Sequence, residues 1–411
     1  MAKILFLSAQ YPPDAKGGGE ISTHILAMGL QERGHTVTVI TSGLAENERH
    51  TDGVRVITLP LGLHGKPLFE RRASKKAVNI LCKHIKDFSQ YDVVHAHDFR
   101  SALMLAVCNP KNAVVTARDY AQISGCTNNI QADGTSDPGC QGLHELYACH
   151  RIAEASFLRK LFRMWQYNYN IRFRRAAFRC FCHQVFISHA QQKMIAKHQD
   201  ISHQNTTVIY NPISAEYLTE ALSKGKAGNV LYAGRVEMYK GVLVLIKAWK
   251  KLIHTNQHAH LTIAGNGAQR EEYENLAARW GMQYRVTFIP HVPYHRLKGL
   301  INNSEIVVAP HVWVEPFGRT VIEGMSRGKI VIASNSGGPA EIIQHEKTGL
   351  LFESGSVKGL TSALEQALTM NRLDKKEMGI AARDYVRDTL NMQKIAQEHE
   401  EFYSTCQLLR K

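Results

Sequence analysis

The chain is short of cysteine, of acidic residues and of long apolar runs, and each shortage removes a class of protein. Eight cysteines in 411 residues are too sparse for the disulfide framework of a small secreted domain, so thiols in a reducing compartment are expected. The longest apolar runs, residues 102–108 and 306–310, fall far short of the ~18 to 20 residues that span a bilayer, and no transmembrane helix is expected. Residues 1–9 carry one lysine and a brief apolar run, without the apolar core or cleavage site of a signal peptide, which places the protein in the cytosol. Glycine (30) and proline (12) are too few for a collagen-like or low-complexity chain. Acids number 36 against 50 lysines and arginines, a net charge of +14 with 21 histidines uncounted. Such a field favours an anionic partner, whether nucleic acid, phosphorylated ligand or acidic membrane face, without choosing among them.

The length exceeds what one hydrophobic core spans, so two domains of ~100 to 200 residues are expected. Apolar, β-branched runs alternate with amphipathic segments. Residues 3–9 read as a strand, 20–33 as a helix stopped by Gly34, and 36–41 as the next strand, followed by strands at 54–59, 93–97, 113–116, 185–188 and 208–210. A parallel sheet covered on both faces follows. After a Lys/Gly-rich break at 223–229 the alternation restarts: strands at 229–233, 260–264, 286–289, 306–310 and 330–334, helices at 242–252 and 269–280, and closing helices at 356–370, 375–389 and 392–409. The expected domains are 1–210 and 211–390, with a last helix over 391–411. Ligands of such open sheets bind at the carboxyl ends of the strands.

The motifs fall at those ends. Gly17, Gly18 and Gly19 follow the first strand and open a helix, where free N–H groups attract a phosphate; a plain flexible turn weighs equally. They lack the G-x-G-x-x-G spacing of a dinucleotide site. In the second half, Arg235 and Lys240 follow the first strand and could clamp a diphosphate, or sit on a solvated turn. Gly265 in Gly265-Asn266-Gly267 could cradle a nucleotide, with a simple turn favoured. The most informative stretch runs from Glu315 to Met325: Glu315, before a helix, and Glu323, inside it, lie eight residues apart, roughly two turns from each other on one face, and a helix start after Phe317-Gly318 supplies amides for an anion. A Glu323 amid Val321 and Ile322 calls for a hydroxylated partner, and a ribose would serve.

With E-x7-E, the Gly337-Gly338 turn, Glu341, Thr348-Gly349, Asn211-Pro212, the triple glycine and the Arg235/Lys240 pair in order, nearly the whole chain resembles glycosyltransferase family 4. The resemblance implies an α/β GT-B fold, two facing Rossmann-like domains with a nucleotide-sugar cleft, an acceptor-side first domain, a donor-binding second domain, and a last helix crossing back. It implies transfer of a sugar from a nucleotide diphosphate sugar, with retention, to a glycan or lipid-linked acceptor. In that reading Arg235 and Lys240 neutralise the departing diphosphate, Glu323 holds the ribose, and Glu315 with Phe317, Gly318, Arg319 and Thr320 holds the donor. Gly17, Gly18, Gly19 and Gly265 approach its phosphates and nucleoside. The nucleotide sugar is the co-substrate; no cofactor or obligatory metal is expected, and no Asp-x-Asp pair stands out. One departure matters: Arg118 stands where the family often has a histidine, so an acid/base role there is in doubt and an anion-binding role replaces it. His97 is a second candidate at a strand end, against a structural histidine.

Cys126, Cys140 and Cys149, with His144 and His150, match no zinc spacing and read as thiols in an acceptor loop. Residues 151–183 hold eight lysines and arginines against Glu154 alone, interleaved with aromatics, and read as a contact with an anionic membrane surface in preference to a solvated basic face. No nucleic-acid module accompanies them. The expected protein is a cytoplasmic enzyme, peripheral on the inner membrane face, in surface polysaccharide or glycolipid synthesis. The alternatives are a catalytically silent binding protein of the same fold and a nucleotide-sugar epimerase.

Overall fold

The structure is a computed structural model, and it describes residues 1–15, 17–63, 69–124, 156–223, 225–406 and 408. The chain divides into two compact units, Met1–Pro212 with Met392–Lys411, and Ile213–Asn391.

The first unit is built on β1 (Lys3–Ser8), β2 (Thr36–Ser42), β3 (Asn47–Thr51), β4 (Val54–Leu59), β5 (Val93–Ala96), β6 (Ala113–Ala117), β7 (His183–Phe186) and β8 (Asn205–Val208), in the order β3-β4-β2-β1-β5-β6-β7-β8. Strands β1, β5 and β6 are buried on both faces, which is why they read as unbroken apolar runs. The sheet is not wholly parallel: β3 pairs antiparallel with β4. The turn between them is Asp52-Gly53, both residues at positive φ (49° and 82°), the two-residue hairpin that Asp-Gly favours. Polar Asn47–Thr51 gave no apolar signal for this edge strand. The last two strands lie two to three residues earlier than expected, since pairing starts at His183 and Asn205. The buried Ile187 and Ile209 instead lie past the strand ends.

The second unit holds β9 (Asn229–Ala233), β10 (His260–Ala264), β11 (Val286–Ile289), β12 (Ile306–Ala309), β13 (Ile330–Ser334) and β14 (Leu350–Phe352), in the order β11-β10-β9-β12-β13-β14, all parallel. Its core gathers Trp249, Leu245 and Ile246 of the helix Val242–Leu252 with Leu360 and Leu364 of the helix Val357–Thr369. The strand order reverses beside β1 and β5 in one sheet and beside β9 and β12 in the other, the places where open α/β sheets leave a crevice at their carboxyl edge.

The helix Met392–Thr405 belongs to the first unit. It lies on the helix Gly18–Glu32, where Gly29 permits the approach: a Cβ there would stand 2.8 Å from Met392 Cγ and 3.0 Å from Ala396 Cβ. Arg33 and Glu400 close the contact with an ion pair at 2.6 Å.

Candidate active site

In the second unit the loop after β9 carries Arg235 and Lys240, and the loop after β12 carries His311, Trp313 and Glu315. Gly241 (φ 74°) ends the first loop; a Cβ there would fall on the Pro310 carbonyl, so only glycine lets the two loops meet. Lys240 Nζ reaches Glu315 Oε2 at 2.6 Å, both side chains 13% exposed. The same oxygen accepts from Trp313 Nε1 at 2.9 Å, and His311 Nε2 lies 3.4 Å away. Burial pushes the Glu315 carboxyl up, but Lys240, His311 and the Trp313 N–H outweigh it, and the group titrates at about 2. Burial lowers Lys240 against the opposing pull of Glu315. Burial also lowers His311 to about 4, so this imidazole is neutral at pH 7. Lys240 Nζ lies 5.1 Å from the Trp313 ring and 5.7 Å from the Tyr239 ring, within cation–π range. Arg235 is exposed beside this group, 5.6 Å from the Tyr239 ring.

Glu315 and Phe317 are held from behind by Gly337-Gly338. The Gly338 N–H donates to the Glu315 carbonyl at 2.8 Å, and a Cβ on Gly337 would fall on that same oxygen. The next helix, Arg319–Ser326, starts from Gly318 in the left-handed region (φ 85°), with no side-chain cap on its first turn. Glu315 lies on the loop before the helix, where it was expected, but it does not share a face with Glu323, because positive φ at Gly318 breaks the helical register. Each carboxylate has its own cation. Glu323 Oε1 lies 2.8 Å from Arg319 Nε, and Arg319 Nη2 donates to Tyr294 Oη at 2.7 Å. Glu323 is 1% exposed, and burial raises its carboxyl to about 7 against the pull of Arg319. Thr320 Oγ1 donates to the Ala233 carbonyl at 3.1 Å, pinning the helix start to the end of β9. Gly265 (φ 148°) has a use inside the protein: a Cβ there would fall on the Gly234 carbonyl, so its freedom serves packing between the β9 and β10 loops.

In the first unit, Gly17 precedes the helix Gly18–Glu32 with ordinary extended angles (φ −114°, ψ 157°), and the Glu20 carboxylate lies where a Gly17 side chain would go. Gly19 faces Arg118, whose Cδ would be 3.0 Å from an added Cβ. Arg118, just past β6, donates from Nε to the His97 carbonyl at 3.0 Å, from Nη1 to Asn211 Oδ1 at 2.5 Å and from Nη2 to Thr23 Oγ1 at 3.1 Å. His97 Nδ1 lies 3.2 Å from Nη2. His97 is completely buried, its ring centroid 4.0 Å from that of His95 and 4.1 Å from that of Phe6. It thus lies beneath Arg118 and offers no surface to a ligand, as the structural-histidine alternative expects. His95 bonds Tyr403 Oη and Thr116 Oγ1, both at 2.7 Å. Burial holds His95 and His97 well below the usual imidazole range and His399 at about 4.

The sequence reading did not single out Trp313, His311, Tyr294, Thr23 or Asp98. Asp98 accepts the Ala9 N–H at 2.7 Å while capping the helix Phe99–Cys108, which ties the ends of β1 and β5 together. Its signal, Asp before a helix start, was present. The cysteines and histidines of 126–150 lie outside the described residues. Among the described residues no cluster of three His, Cys, Asp or Glu is placed to hold a metal.

Two family models match the chain, Glycosyltransferase Family 4 over residues 16–217 and Glycosyl transferases group 1 over 215–385. A glycosyltransferase of Methanocaldococcus jannaschii is 26% identical over 424 residues, covering 96% of this chain and 99% of the relative. Among solved structures, the sucrose-phosphate synthase of Thermosynechococcus elongatus superposes with TM-score 0.74 at 19% identity, covering 98% and 99% of the two chains. Anabaena HepE in complex with UDP-glucose superposes with TM-score 0.69 at 19% identity over 98% and 100%. These likenesses at low identity establish the two-domain GT-B fold, and with the family models spanning residues 16–385, the chain belongs to glycosyltransferase family 4.

Proposed function

We propose that this glycosyltransferase moves a sugar, with retention at the anomeric carbon and without a metal, from a nucleotide diphosphate sugar to a glycan or lipid-linked acceptor. Its place is the cytoplasmic face of the membrane, in the assembly of a surface polysaccharide or glycolipid. The observation that carries the reading is the largely buried Lys240–Glu315 pair at 2.6 Å beside the exposed Arg235. As the glycosidic bond breaks, negative charge grows on the departing diphosphate, and cations already fixed in a partly dry loop stabilise that charge without reorganising. Glu315 keeps Lys240 charged despite burial, while its second oxygen and the first amides of the helix Arg319–Ser326 receive donor hydroxyls. Glu323, 1% exposed and turned to Arg319, meets the ribose hydroxyls when Arg319 gives way. In the first unit, the start of the helix Gly18–Glu32 and Arg118 take an anionic group of donor or acceptor. The complex of HepE with UDP-glucose supports a uridine nucleotide as the first donor to try.

The test is release of nucleoside diphosphate from UDP-, GDP- and ADP-sugars in the presence of a chelator, with the product's anomeric configuration read by NMR. Lys240→Gln should lower turnover roughly 10²- to 10³-fold with KM for the sugar nucleotide changed far less. Inverted product, or turnover abolished by the chelator, would overturn the corresponding part of the reading.

A further inference from the structure

The helix Phe157–Arg179 has two halves with different surroundings. Beyond its middle it is a core helix: Asn170, Ile171, Arg174, Ala177 and Phe178 are buried, and Arg174 pairs with the buried Glu70. Its first nine residues are the reverse. Phe157, Leu158, Leu161, Phe162 and Trp165 are between 48% and 77% exposed, the densest group among the large apolar side chains left in water. At about 100° per residue these five fall within an arc of about 140°, on the side opposite the buried stripe. Arg159 and Lys160 flank that arc, and the exposed Arg172 continues its line toward the helix end.

The neighbouring helix, Glu70–His84, adds charge to this ridge. Phe69, just before it, packs edge-on to Trp165 and Tyr169 with ring centroids 5.8 and 5.7 Å apart. Arg71, Arg72, Lys75 and Lys76 follow, all exposed. Arg71 and Arg72 occupy the first turn, where the helix dipole disfavours a cation. They add positive charge beside the ridge.

We infer that the apolar ridge of residues 157–165, with the exposed bases of residues 71–76 beside it, is a docking surface for an anionic phospholipid bilayer. Aromatic and aliphatic side chains enter the headgroup boundary, and the bases remain in the phosphate layer. The contact lies on the membrane: no helix among the described residues is long and apolar enough to cross one. The inference rests on the membrane-face part of the proposed function and narrows the basic stretch of residues 151–183 to the helix half that carries the exposed apolar ridge, since the later half packs into the core through Asn170, Ile171, Arg174, Ala177 and Phe178.

The experiment is co-sedimentation of the full chain with phosphatidylcholine vesicles with and without phosphatidylglycerol, at low and high salt, with tryptophan emission followed in parallel. Binding should need the anionic lipid, weaken with salt, and shift the emission to the blue. Leu161→Ser with Phe162→Ser should lower the partition coefficient at least roughly tenfold, and Arg71→Glu, Arg72→Glu, Lys75→Glu and Lys76→Glu together roughly a hundredfold or more. Hydrolysis of the sugar nucleotide without vesicles should be unchanged in both variants. That readout shows that the variants fold and separates failure of the transferase reading from failure of this one. Equal binding to neutral vesicles, no binding to either, unaltered binding by both variants, or a ridge covered by a second copy of the chain in sedimentation equilibrium would each overturn the inference.

Discussion

Both sheets bring polar residues to the carboxyl ends of their central strands, yet the two units bury them by opposite means. In the first, the polar centre is made of neutral imidazoles: His95 held by Tyr403 and Thr116, with His97 stacked on it beneath Arg118. In the second, it is made of ion pairs, Lys240 with Glu315 and Arg319 with Glu323. A neutral ring avoids the desolvation penalty but cannot accept a proton without disruption. In an ion pair the partner's charge opposes the desolvation penalty, and which of the two wins differs from pair to pair. The same fold plan therefore yields different responses to pH, three buried histidines at the centre of the first unit against one, His311, in the second. Buried histidines with lowered affinity for protons leave the first unit fully stable above the unfolded value near 6.5, and stability is lost as pH falls below it. Glu323, raised to about 7, acts in the other direction: its contribution is intact below the unfolded carboxyl value and lost as pH rises through 7. Glu315, held at about 2, weakens only as pH falls below about 4.5.

The largest effect is expected at the tighter ion pair. Lys240→Ala leaves a largely buried carboxylate with only the Trp313 N–H and the neutral His311 beside it and should destabilise the protein by about 3–5 kcal/mol; adding Glu315→Gln should restore much of the loss in urea titrations. If the double variant is as unstable as the single one, charge is not what Lys240 supplies. Next is the acid response. Moving from pH 7.5 to 5.5 should cost the first unit about 2–4 kcal/mol through its buried histidines. Hydrogen exchange corrected for intrinsic rate should then rise in Val93–Ala96 and Met392–Thr405 while Arg319–Ser326 stays protected. Uniform exchange across both units would erase the difference between them.

Glu323→Gln imitates the protonated acid. It should stabilise the protein at pH 8 by about 1–3 kcal/mol and leave it unchanged near pH 4; equal melting shifts at both pH values would refute the raised carboxyl. The smallest effect belongs to Tyr403→Phe, which removes one hydrogen bond to His95 and should cost about 1–2 kcal/mol at pH 7.5. That loss should shrink in a His95→Phe background, and full additivity would show that the two do not act as a unit.

The repeating strands and helices were legible because buried parallel strands are continuous apolar runs. Val242–Leu252 and Ile330–Ser334 coincide with the spans expected. The hairpin Asn47–Thr51 to Val54–Leu59 was missed although Asp52-Gly53 announces it, since its outer strand is polar and carries no periodicity. Chemistry and spacing singled out Arg235, Lys240, Glu315 and Glu323, and the structure brings Lys240 to Glu315 and Arg319 to Glu323. Their other neighbours were not singled out, because Trp313, Tyr294 and His311 are ordinary residues until the loops bring them within 2.7 to 3.4 Å of a charge.

The sequence by itself determined the α/β class, the two-unit plan, the family and the loops on which charge would gather, since hydrophobic period, glycine placement and motif order are local properties of a chain. Only the tertiary structure decided which charges meet. Gly265, Gly337 and Gly338 are needed for loops to lie on one another, Glu315 turns to Lys240 and Glu323 to Arg319, and His97 is sealed under Arg118. Partner choice over such separations depends on the register of strands and the angle of loops, and no run of neighbouring residues encodes those.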